Sequence, residues 1–542
     1  MKRFCLYSSI LALAVFAIAR AVFPEEDLKG SKDKNALVPF KGLWSDESSN
    51  MSPALAPDGK YIIFQSNRDI EDRFSLYETF LMKSGDITDP RRIELENKSD
   101  FDGQPYFSGR DGWILYSSIG PRNFQKAGTR TQADIWLTLR NPEGWGKPAR
   151  LPSPVNSAGV EITPCISADG TRLYFASNRP GGHGGLDIWY SNWKNRRWSE
   201  PVNAGKGINS SANEIFPRLH ADGKTLYFSS DRKGGKGGYD IYISRFKRRR
   251  WSRAANVGGY VNSITNDYLN GIPANASYVL LSRGSMGAEK IYKLRPTPEF
   301  MMPLPLATTR IVALDRESKA PIPMRVRIED LRTNKVILRK GYTPYDRSPI
   351  SPEALRSRIE SSDDYFNQIG MDVFLETPGR YGIFIMSNGY LFLDEEFSLR
   401  GSQSSEHVKI FELPPLRKGV KLPLRSVYFK PSRPKLLKSS YKNLALVAKF
   451  LNKRKGIIVE IQGHTARGRG SEKRNEQLSR QRAKTVVKYL IRQGVHKKRL
   501  RGVGYGSVQP VAPNDSEANM KKNRRVEFLI LDILKPRKKR KG

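Results

Sequence analysis

Arg482, near the C-terminus, has a side chain that can bind an anion. It lies one helical turn beyond Leu478, near the mouth of the loop 463–471 that connects a predicted strand to a predicted helix. An Arg fork can hold a carboxylate through two parallel hydrogen bonds, and a charged contact of this kind contributes roughly 1.5–3 kcal/mol. The residue types therefore predict recognition of a carboxylate. Arg482 could instead pair with Glu476 or cap the edge of a sheet.

Nothing in the sequence predicts catalysis or metal binding. No Ser, Cys or carboxylate is placed to work with His464, so we interpret this histidine as structural. The chain has 5 His and 2 Cys, and none form a cluster with the spacing of a metal site. Gly284-Ser285-Met286-Gly287 and Gly506-Ser507 lack the Gly-x-Ser-x-Gly pattern of a serine hydrolase. We therefore expect no catalytic residues, no metal and no cofactor.

The elements that must position Arg482 alternate between strand and helix. Residues 427–429 form a short apolar run, and Pro434 opens a helical stripe. Residues 457–462 alternate as a strand. A second helix is predicted over 475–493, and residues 525–531 form a last strand. The order β-α-β-α-β predicts a small sheet with helices packed on one face.

Three short motifs in this segment carry a family resemblance. They are Gly463-His464-Thr465-Ala466, the run Asn-Glu-Gln-Leu-Ser-Arg-Gln-Arg-Ala at 475–483, and Asn-Arg-Arg-Val-Glu at 523–527. Together they resemble the signature of the OmpA C-terminal-like domain, the periplasmic module of OmpA, Pal and MotB that holds peptidoglycan. The resemblance extends from near Lys418 to Ile533.

The resemblance implies that this domain binds a peptidoglycan stem peptide. Arg482 matches the family's arginine that grips a stem-peptide carboxylate, and Arg524 or Arg525 lies near the same groove. The implied peptidoglycan-binding residues are Gly463, His464, Thr465, Asn475, Leu478, Ser479, Arg482, Asn523, Arg524 and Arg525.

One position departs from the family pattern. Where the family has an Asp that receives the amine of diaminopimelate, this chain has Ala466, which cannot receive an amine. The turn is also one residue longer than usual and adds Arg467 and Arg469. Glu472 or Glu476 could supply the missing carboxylate, and the sequence leaves this question open.

The N-terminus predicts export. Residues 1–21 combine a basic start, a short apolar run and an Ala-x-Ala site, which is the pattern of a secretory signal peptide. Cys5 precedes the apolar run, so lipidation is not expected, and Cys165 alone remains after cleavage. No later run approaches membrane-spanning length. We expect a protein of the periplasm or outer membrane of a diderm bacterium that contacts membrane only peripherally.

The charge is strongly positive and unevenly distributed. The net charge is +39, and from Leu416 onward 36 Lys or Arg face 7 Asp or Glu. A basic tail occupies 534–542. Such a field attracts polyanions. Export argues against nucleic acid and favours stem-peptide carboxylates, anionic lipid headgroups or wall polymers, although a solvated basic tail is the plainer interpretation.

A repeat of about 53 residues occupies positions 40–305. Asp-Gly recurs between an extended and an apolar segment, and matching tryptophans lie 53 residues apart at Trp145, Trp198 and Trp251. Short strands and Gly-rich turns in a period of this size predict a β-propeller. The copies resemble the WD-like repeats of TolB. We expect five blades, or six if residues 30–45 and 295–305 close another.

Two further features of the repeats are interpreted as structural. The Gly-rich stretches at 181–185 and 234–238 are predicted to be hairpin loops, because no helix follows them. The recurring Asp134, Asp187 and Asp240 are assigned to the architecture rather than to a channel.

The segment 307–415 has no repeat. Its short alternating runs predict a β-sandwich, vaguely similar to the regulatory sandwich of carboxypeptidases, with an inserted loop or short helix at 340–368. We interpret this sandwich as a spacer.

The sequence thus predicts a multidomain envelope protein that is not an enzyme. The order is a β-propeller (40–305), a β-sandwich (307–415) and an α/β OmpA-like domain (416–533) that binds peptidoglycan. In this interpretation the propeller presents a surface to proteins or glycans. Two alternatives are a domain that has lost muropeptide binding and acts as a basic adhesive module, and a hydrolase or glycosidase carried by the propeller.

Overall fold

The structure is a computed structural model that describes residues 37–40, 50–69, 74–82, 86–95, 99, 101–108, 112–119, 132–141, 143–285, 289–295, 299–344, 369–400, 407–467 and 471–534. The expected signal peptide at 1–21, most of the insertion expected at 340–368 and most of the basic tail lie outside the described residues. The described chain is mostly β-structure until it enters a C-terminal α/β domain.

Five consecutive antiparallel sheets form the N-terminal part of the chain. Their strands are, in chain order, β1 (Leu37–Pro39), β2 (Asn50–Leu55), β3 (Tyr61–Ser66), β4 (Ser75–Phe80), β5 (Arg91–Arg92), β6 (Asp102–Phe107), β7 (Trp113–Ser118), β8 (Asp134–Asn141), β9 (Gly144–Trp145), β10 (Ala149–Arg150), β11 (Glu161–Ile166), β12 (Arg172–Ser177), β13 (Asp187–Lys194), β14 (Arg197–Trp198), β15 (Val202–Asn203), β16 (Glu214–Leu219), β17 (Thr225–Ser230), β18 (Asp240–Lys247), β19 (Arg250–Trp251), β20 (Ala255–Asn256), β21 (Asn266–Gly271), β22 (Val279–Gly284) and β23 (Lys290–Leu294). The first sheet contains β2–β5, the second β6–β10, the third β11–β15 and the fourth β16–β20. The fifth contains β21–β23 and β1.

The turns between these strands follow the repeat. The Asp-Gly pairs place Gly59, Gly170 and Gly223 at φ of +76°, +70° and +63°, in the left-handed region that favours glycine. The Gly-rich stretches at 181–185 and 234–238 join β12 to β13 and β17 to β18, as hairpin loops were predicted to do.

The recurring aspartates and tryptophans hold the outer part of each sheet together. Asp187 opens β13, where its carboxylate accepts the His183 N–H and the Asn203 Nδ2–H. Three two-residue strands, β9, β14 and β19, pair with the long third strand of their sheets and end in a tryptophan, namely Trp145, Trp198 and Trp251. These residues serve the architecture of the sheets, which agrees with the prediction.

The first strands of the five sheets contact one another in a closed circuit. β2 contacts β6, β6 contacts β11, β11 contacts β16, β16 contacts β21, and β21 contacts β2. The N-terminal strand β1 pairs with β23 and completes the fifth sheet. A sixth sheet built from residues 30–45 and 295–305 was one of the two expected outcomes. Within the described residues no sixth sheet is found, because β1 is already used in the fifth.

Arg218 lies inside this circuit. Its guanidinium donates to the main-chain oxygens of Pro105, Pro164, Pro217 and Asn270, at 3.2–3.3 Å. These four oxygens belong to β6, β11, β16 and β21, so one side chain bridges four sheets. Burial lowers the pKa of Arg218 below that of a free guanidinium. Main-chain carbonyl dipoles rather than carboxylates therefore hold this cation.

Two sheets packed face to face follow the five. Their strands are β24 (Ala307–Asp315), β25 (Met324–Asp330), β26 (Lys335–Tyr342), β27 (Met371–Leu375), β28 (Gly379–Met386), β29 (Leu393–Leu399) and β30 (His407–Leu413). One sheet has the order β27-β24-β30 and the other β26-β25-β28-β29. Ile311 and Phe411 of the first sheet share a core with Ile328 and Ile383 of the second. Strand β26 extends into the segment expected to be a loop or short helix.

The C-terminal domain is a four-stranded mixed sheet with helices. Its elements are β31 (Lys421–Pro423), α1 (Lys438–Lys453), β32 (Ile457–Gly463), α2 (Glu472–Arg492), β33 (Leu500–Gly504), α3 (Glu517–Asn523) and β34 (Val526–Ile533). The strand order is β31-β34-β32-β33, with β33 parallel to β32. Ser471 caps α2 by accepting the Arg474 N–H. None of the described helices is long and apolar enough to cross a membrane.

The predicted order β-α-β-α-β was incomplete. The first strand is β31, which pairs with β34, rather than residues 427–429. Strand β33 and helix α3 were missed. Two of the five residues of β33 are glycines, and it lies at the edge of the sheet, so it lacks an apolar period. Helix α3 has seven residues, of which only Asn523 is buried.

The sandwich and the C-terminal domain share one hydrophobic core. Phe392, beside β29, stacks on Phe384 with ring centroids 5.2 Å apart and meets Phe450 of α1 and Phe528 of β34 at 5.1 and 5.3 Å. The buried Asp394 accepts the Ser426 N–H at 3.2 Å, and burial raises the pKa of this carboxyl to about 6. The sandwich is therefore joined to the C-terminal domain more tightly than a spacer would be.

Candidate functional site

The turn that follows β32 is held close to helix α2. A Cβ on Gly463 would lie 2.2 Å from the main-chain oxygen of Ser479, so only glycine lets the helix approach the strand so closely. Ser479 is buried, and its Oγ donates to the Glu476 oxygen and accepts the Gly506 N–H. The Thr465 N–H in turn donates to the Gly506 oxygen at 2.8 Å. The predicted residues Gly463, Thr465 and Ser479 thus meet at one corner.

His464 lies on the inner side of this turn and has a carboxylate partner. Its buried Nε2 is 3.4 Å from Oε2 of Glu527, and its ring stacks on Tyr505 with planes 11° apart. His464, together with Arg525, holds the pKa of Glu527 at about 2. The prediction that no carboxylate lies near His464 was wrong. Glu527 lies on β34 two residues after Arg525, which directly precedes the strand, so alternation along the extended chain already placed both on one face.

Arg482 is a nearly buried cation without an acidic partner. It is 9 % exposed, and its guanidinium carbon lies 5.1 Å from the centre of the Phe429 ring. Its Nε donates to the Arg433 oxygen at 3.4 Å. Among the described residues no carboxylate lies within 4 Å of it, because Glu476 pairs with Arg480 at 2.5 Å instead. Burial, and then the nearby charge of Arg524, lower the pKa of Arg482.

The two other predicted arginines are already engaged. Arg524 forms an ion pair with Glu517 and lies near enough to Arg482 to lower its pKa further. Arg525 donates from Nε to Glu527 at 2.8 Å and from Nη1 to the Gln509 oxygen at 3.1 Å. Of the three arginines, Arg482 is therefore the one without a carboxylate partner among the described residues.

Asn523 shapes the loop beside the turn. It is fully buried, and its Oδ1 accepts the N–H groups of Val511 and Ala512. Its Nδ2 donates to the Ala512 oxygen and to Oδ1 of Asn514. The same Asn514 oxygen accepts the Arg467 N–H at 3.0 Å. Asn523 thus acts through this loop on the turn, while Asn475 and Leu478 lie half-buried on α2.

Glu472 is a carboxylate fixed by Ser507, next to the glycine that holds the turn. It accepts the Ser507 N–H at 3.0 Å and the Ser507 hydroxyl at 2.5 Å, and these bonds lower its pKa. The adjacent Gly506 holds the Thr465 N–H, so Glu472 and Ala466 flank the same corner. Both hydrogen bonds leave acceptor capacity on this exposed carboxylate. Glu472 therefore supplies a carboxylate at this turn, whereas Ala466 has no charged group.

Comparison with known proteins identifies a family for the part of the chain that contains this turn and Arg482. Residues 428–524 match the model of the OmpA family, so this part of the chain is an OmpA-family domain. The chain is 41% identical over 95 residues to the peptidoglycan-binding protein ArfA of Mycobacterium tuberculosis, covering 18% of this chain and 29% of that protein.

Two further proteins are similar to part of the chain. The chain is 38% identical over 105 residues to the peptidoglycan-associated lipoprotein of Pseudomonas aeruginosa, which is 19% of this chain and 61% of that protein. The crystal structure of the periplasmic domain of Helicobacter pylori MotB is 29% identical and covers 22% of this chain and 78% of its own, with a TM-score of 0.20. The chain thus spans 29% and 61% of the two curated relatives' lengths.

Proposed function

We propose that the C-terminal domain binds peptidoglycan non-covalently and that Arg482 receives a carboxylate of the stem peptide. The observation that carries this proposal is the nearly buried Arg482 guanidinium, which has no carboxylate partner among the described residues. Burying a charge without a partner costs folding free energy, and a bound anion would offset this cost. The OmpA-family match and two relatives whose names state peptidoglycan binding or association support the same ligand.

The amine of the ligand needs a second group, and Glu472 is the one we propose. Ala466 cannot accept it, and Glu476 is occupied by Arg480. Glu472 keeps acceptor capacity beside the turn after binding Ser507. In this arrangement a stem peptide carrying both an ammonium and a carboxylate would lie between Glu472 and Arg482.

We further propose that the protein is a non-enzymatic component of the cell envelope. The five N-terminal sheets would form a five-bladed propeller that presents its faces to partners, and the circuit of first strands around Arg218 supports this interpretation. The role of His464 would be to hold the turn through Glu527 and Tyr505 rather than to catalyse. An envelope location follows from the proposed ligand.

Substituting Arg482 tests the proposal. Arg482→Ala should weaken the binding of a stem peptide containing diaminopimelate by about 1.5–3 kcal/mol, because one charge-assisted partner is lost. Arg480→Ala is the matched control, since it removes the same charge two residues away on α2 from a side chain already paired with Glu476. Isothermal titration of the three proteins gives the comparison.

Equal affinities for the parent and Arg482→Ala would contradict the assignment of Arg482. If the parent protein does not bind the peptide at all, the alternative function is favoured, in which Ala466 marks a domain that has lost muropeptide binding and serves as a basic adhesive module.

A further inference from the structure

The third and fourth N-terminal sheets each carry a basic hairpin tip, at residues 194–197 and 247–250. The two tips contain seven Lys or Arg side chains, and all seven are exposed. None of them forms an ion pair with another described residue. In the second sheet the same position reads Asn-Pro-Glu-Gly at 141–144. The hairpin therefore forms in this repeat without basic residues, and the charges must have another role.

The basic residues also occupy positions where they destabilise the two hairpins. Arg248 and Arg249 occupy the two central turn positions with φ of +50° and +68°, where Asn and Gly are favoured. Lys194 lies directly opposite Arg197, and Lys247 directly opposite Arg250, so like charges face each other across each ladder. Local features that oppose folding and recur in two neighbouring sheets indicate a functional surface.

An apolar strap runs beside the second tip. Within residues 299–304, Phe300, Met302 and Leu304 are exposed by 51, 39 and 38 %, while the intervening Met301 and Pro303 are buried. The Met302 N–H donates to the Glu299 oxygen and closes a turn that contains Phe300, so three large apolar side chains are exposed within five residues of a turn and the segment that follows it.

The strap is fixed to the sheet that carries the second tip. Arg245, on the strand that leads into the second tip, donates to the Met302 oxygen at 2.8 Å. The Leu304 N–H donates to Asp222, in the turn between β16 and β17. The neighbouring Lys224 accepts through its oxygen the Phe246 N–H, which also belongs to the strand of the second tip. The second tip and the strap thus form one surface, and the first tip occupies the equivalent position in the neighbouring third sheet. We call these residues together the basic face.

A tryptophan at the first tip adds an amphipathic group. Trp193 is 44 % exposed and packs edge-on against Trp198 with centroids 5.0 Å apart. Exposed Trp and apolar side chains beside Lys and Arg are the combination that binds the interface of an anionic bilayer, where cations meet phosphates and apolar groups enter the headgroup region. A soluble polyanion would use the cations but would gain nothing from the apolar strap.

We propose that the basic face, formed by residues 194–197, 247–250 and 299–304 with Trp193, docks the N-terminal sheets on a membrane surface that contains anionic phospholipid. The cations bind headgroup phosphates, and Phe300, Met302 and Leu304 enter the interface. This site is separate from the proposed peptidoglycan site in the C-terminal domain.

The test compares vesicles of phosphatidylcholine with vesicles that also contain phosphatidylglycerol, using the full chain in flotation assays. The variant Arg196→Glu/Arg248→Glu/Arg249→Glu should bind the anionic vesicles at least about tenfold more weakly than the parent. The control Lys206→Glu/Lys233→Glu/Lys236→Glu changes the net charge equally but alters exposed lysines outside the basic face. It should bind within about twofold of the parent, since long-range charge is screened at physiological salt. Equal losses in both variants would overturn the proposal.

A second variant separates a membrane from a soluble polyanion. Phe300→Ser/Met302→Ser should weaken binding to the anionic vesicles several-fold and leave binding to soluble polyphosphate and duplex DNA unchanged. If vesicle binding is unchanged in this variant, the membrane is not the occupant, and the basic face serves a soluble polyanion instead.

Discussion

Replacing Arg218 with methionine should destabilise the N-terminal sheets by at least about 3 kcal/mol, because four buried main-chain oxygens lose their donor at once. Each unsatisfied buried acceptor costs about 1–3 kcal/mol. Methionine keeps most of the length but cannot donate, so repacking does not compensate. We expect the melting temperature of this part of the chain to fall on the order of 10 °C.

The matched control for this prediction is Arg253→Met. Arg253 is exposed on a neighbouring segment, and its substitution makes the same chemical change without removing a donor to the four oxygens. Thermal unfolding followed by near-ultraviolet circular dichroism compares the two variants. A melting temperature for Arg218→Met equal to that of the control would show that the five sheets do not depend on this side chain.

Phe392→Ala should destabilise both the sandwich and the C-terminal domain by about 3–5 kcal/mol, because its fully buried ring contacts Phe450 and Phe528 as well as Phe384. Hydrogen exchange should accelerate in α1 and β34 as well as in β28. A fragment of residues 307–542 should unfold in one transition, since the two parts share a core.

Phe397→Ala is the corresponding control. The Phe397 ring packs on Tyr381 and Phe411 within the sandwich, and among the residues that the structure describes it has no aromatic contact with the C-terminal domain. Exchange in α1 and β34 should accelerate less in this variant than in Phe392→Ala. Unchanged protection of α1 and β34 in Phe392→Ala would restore the interpretation of the sandwich as a spacer.

Where an element buries one regular face, the sequence was sufficient to predict it. Helix α1 and strand β32 carry apolar residues at helical and alternating spacing, so their existence followed from periodicity. Strand β33 and helix α3 could not be found in this way, because neighbouring elements rather than their own apolar faces hold them. The sequence also could not predict the core shared by the sandwich and the C-terminal domain. Phe392 is one apolar residue beside a strand, and its contacts with α1 and β34 appear only in the folded structure.

The sequence predicted part of the candidate site, and the rest depends on contacts between residues that are distant in the sequence. A sequence motif identified Arg482 as a site residue. Only the structure shows that Glu476 forms an ion pair with Arg480, so that Arg482 has no carboxylate partner among the described residues. Glu472 was one of two candidates for the missing anion. Glu472 contacts Ser507, which is 35 residues away in the sequence. This contact forms only when the segment after β33 lies against the start of α2, so the sequence could not show it. The ligand contacts of the ten predicted site residues stay predictions.

Sedimentation with purified, lipid-free sacculi tests the central claim most directly. At physiological salt, which screens the general attraction of the basic chain, residues 307–542 should sediment with the sacculi, and residues 22–306 should stay in the supernatant. Arg482→Ala in the full chain should reduce the sedimenting fraction, while Arg480→Ala should not. Sedimentation of residues 22–306 without sedimentation of residues 307–542 would contradict the proposal that the C-terminal domain binds peptidoglycan.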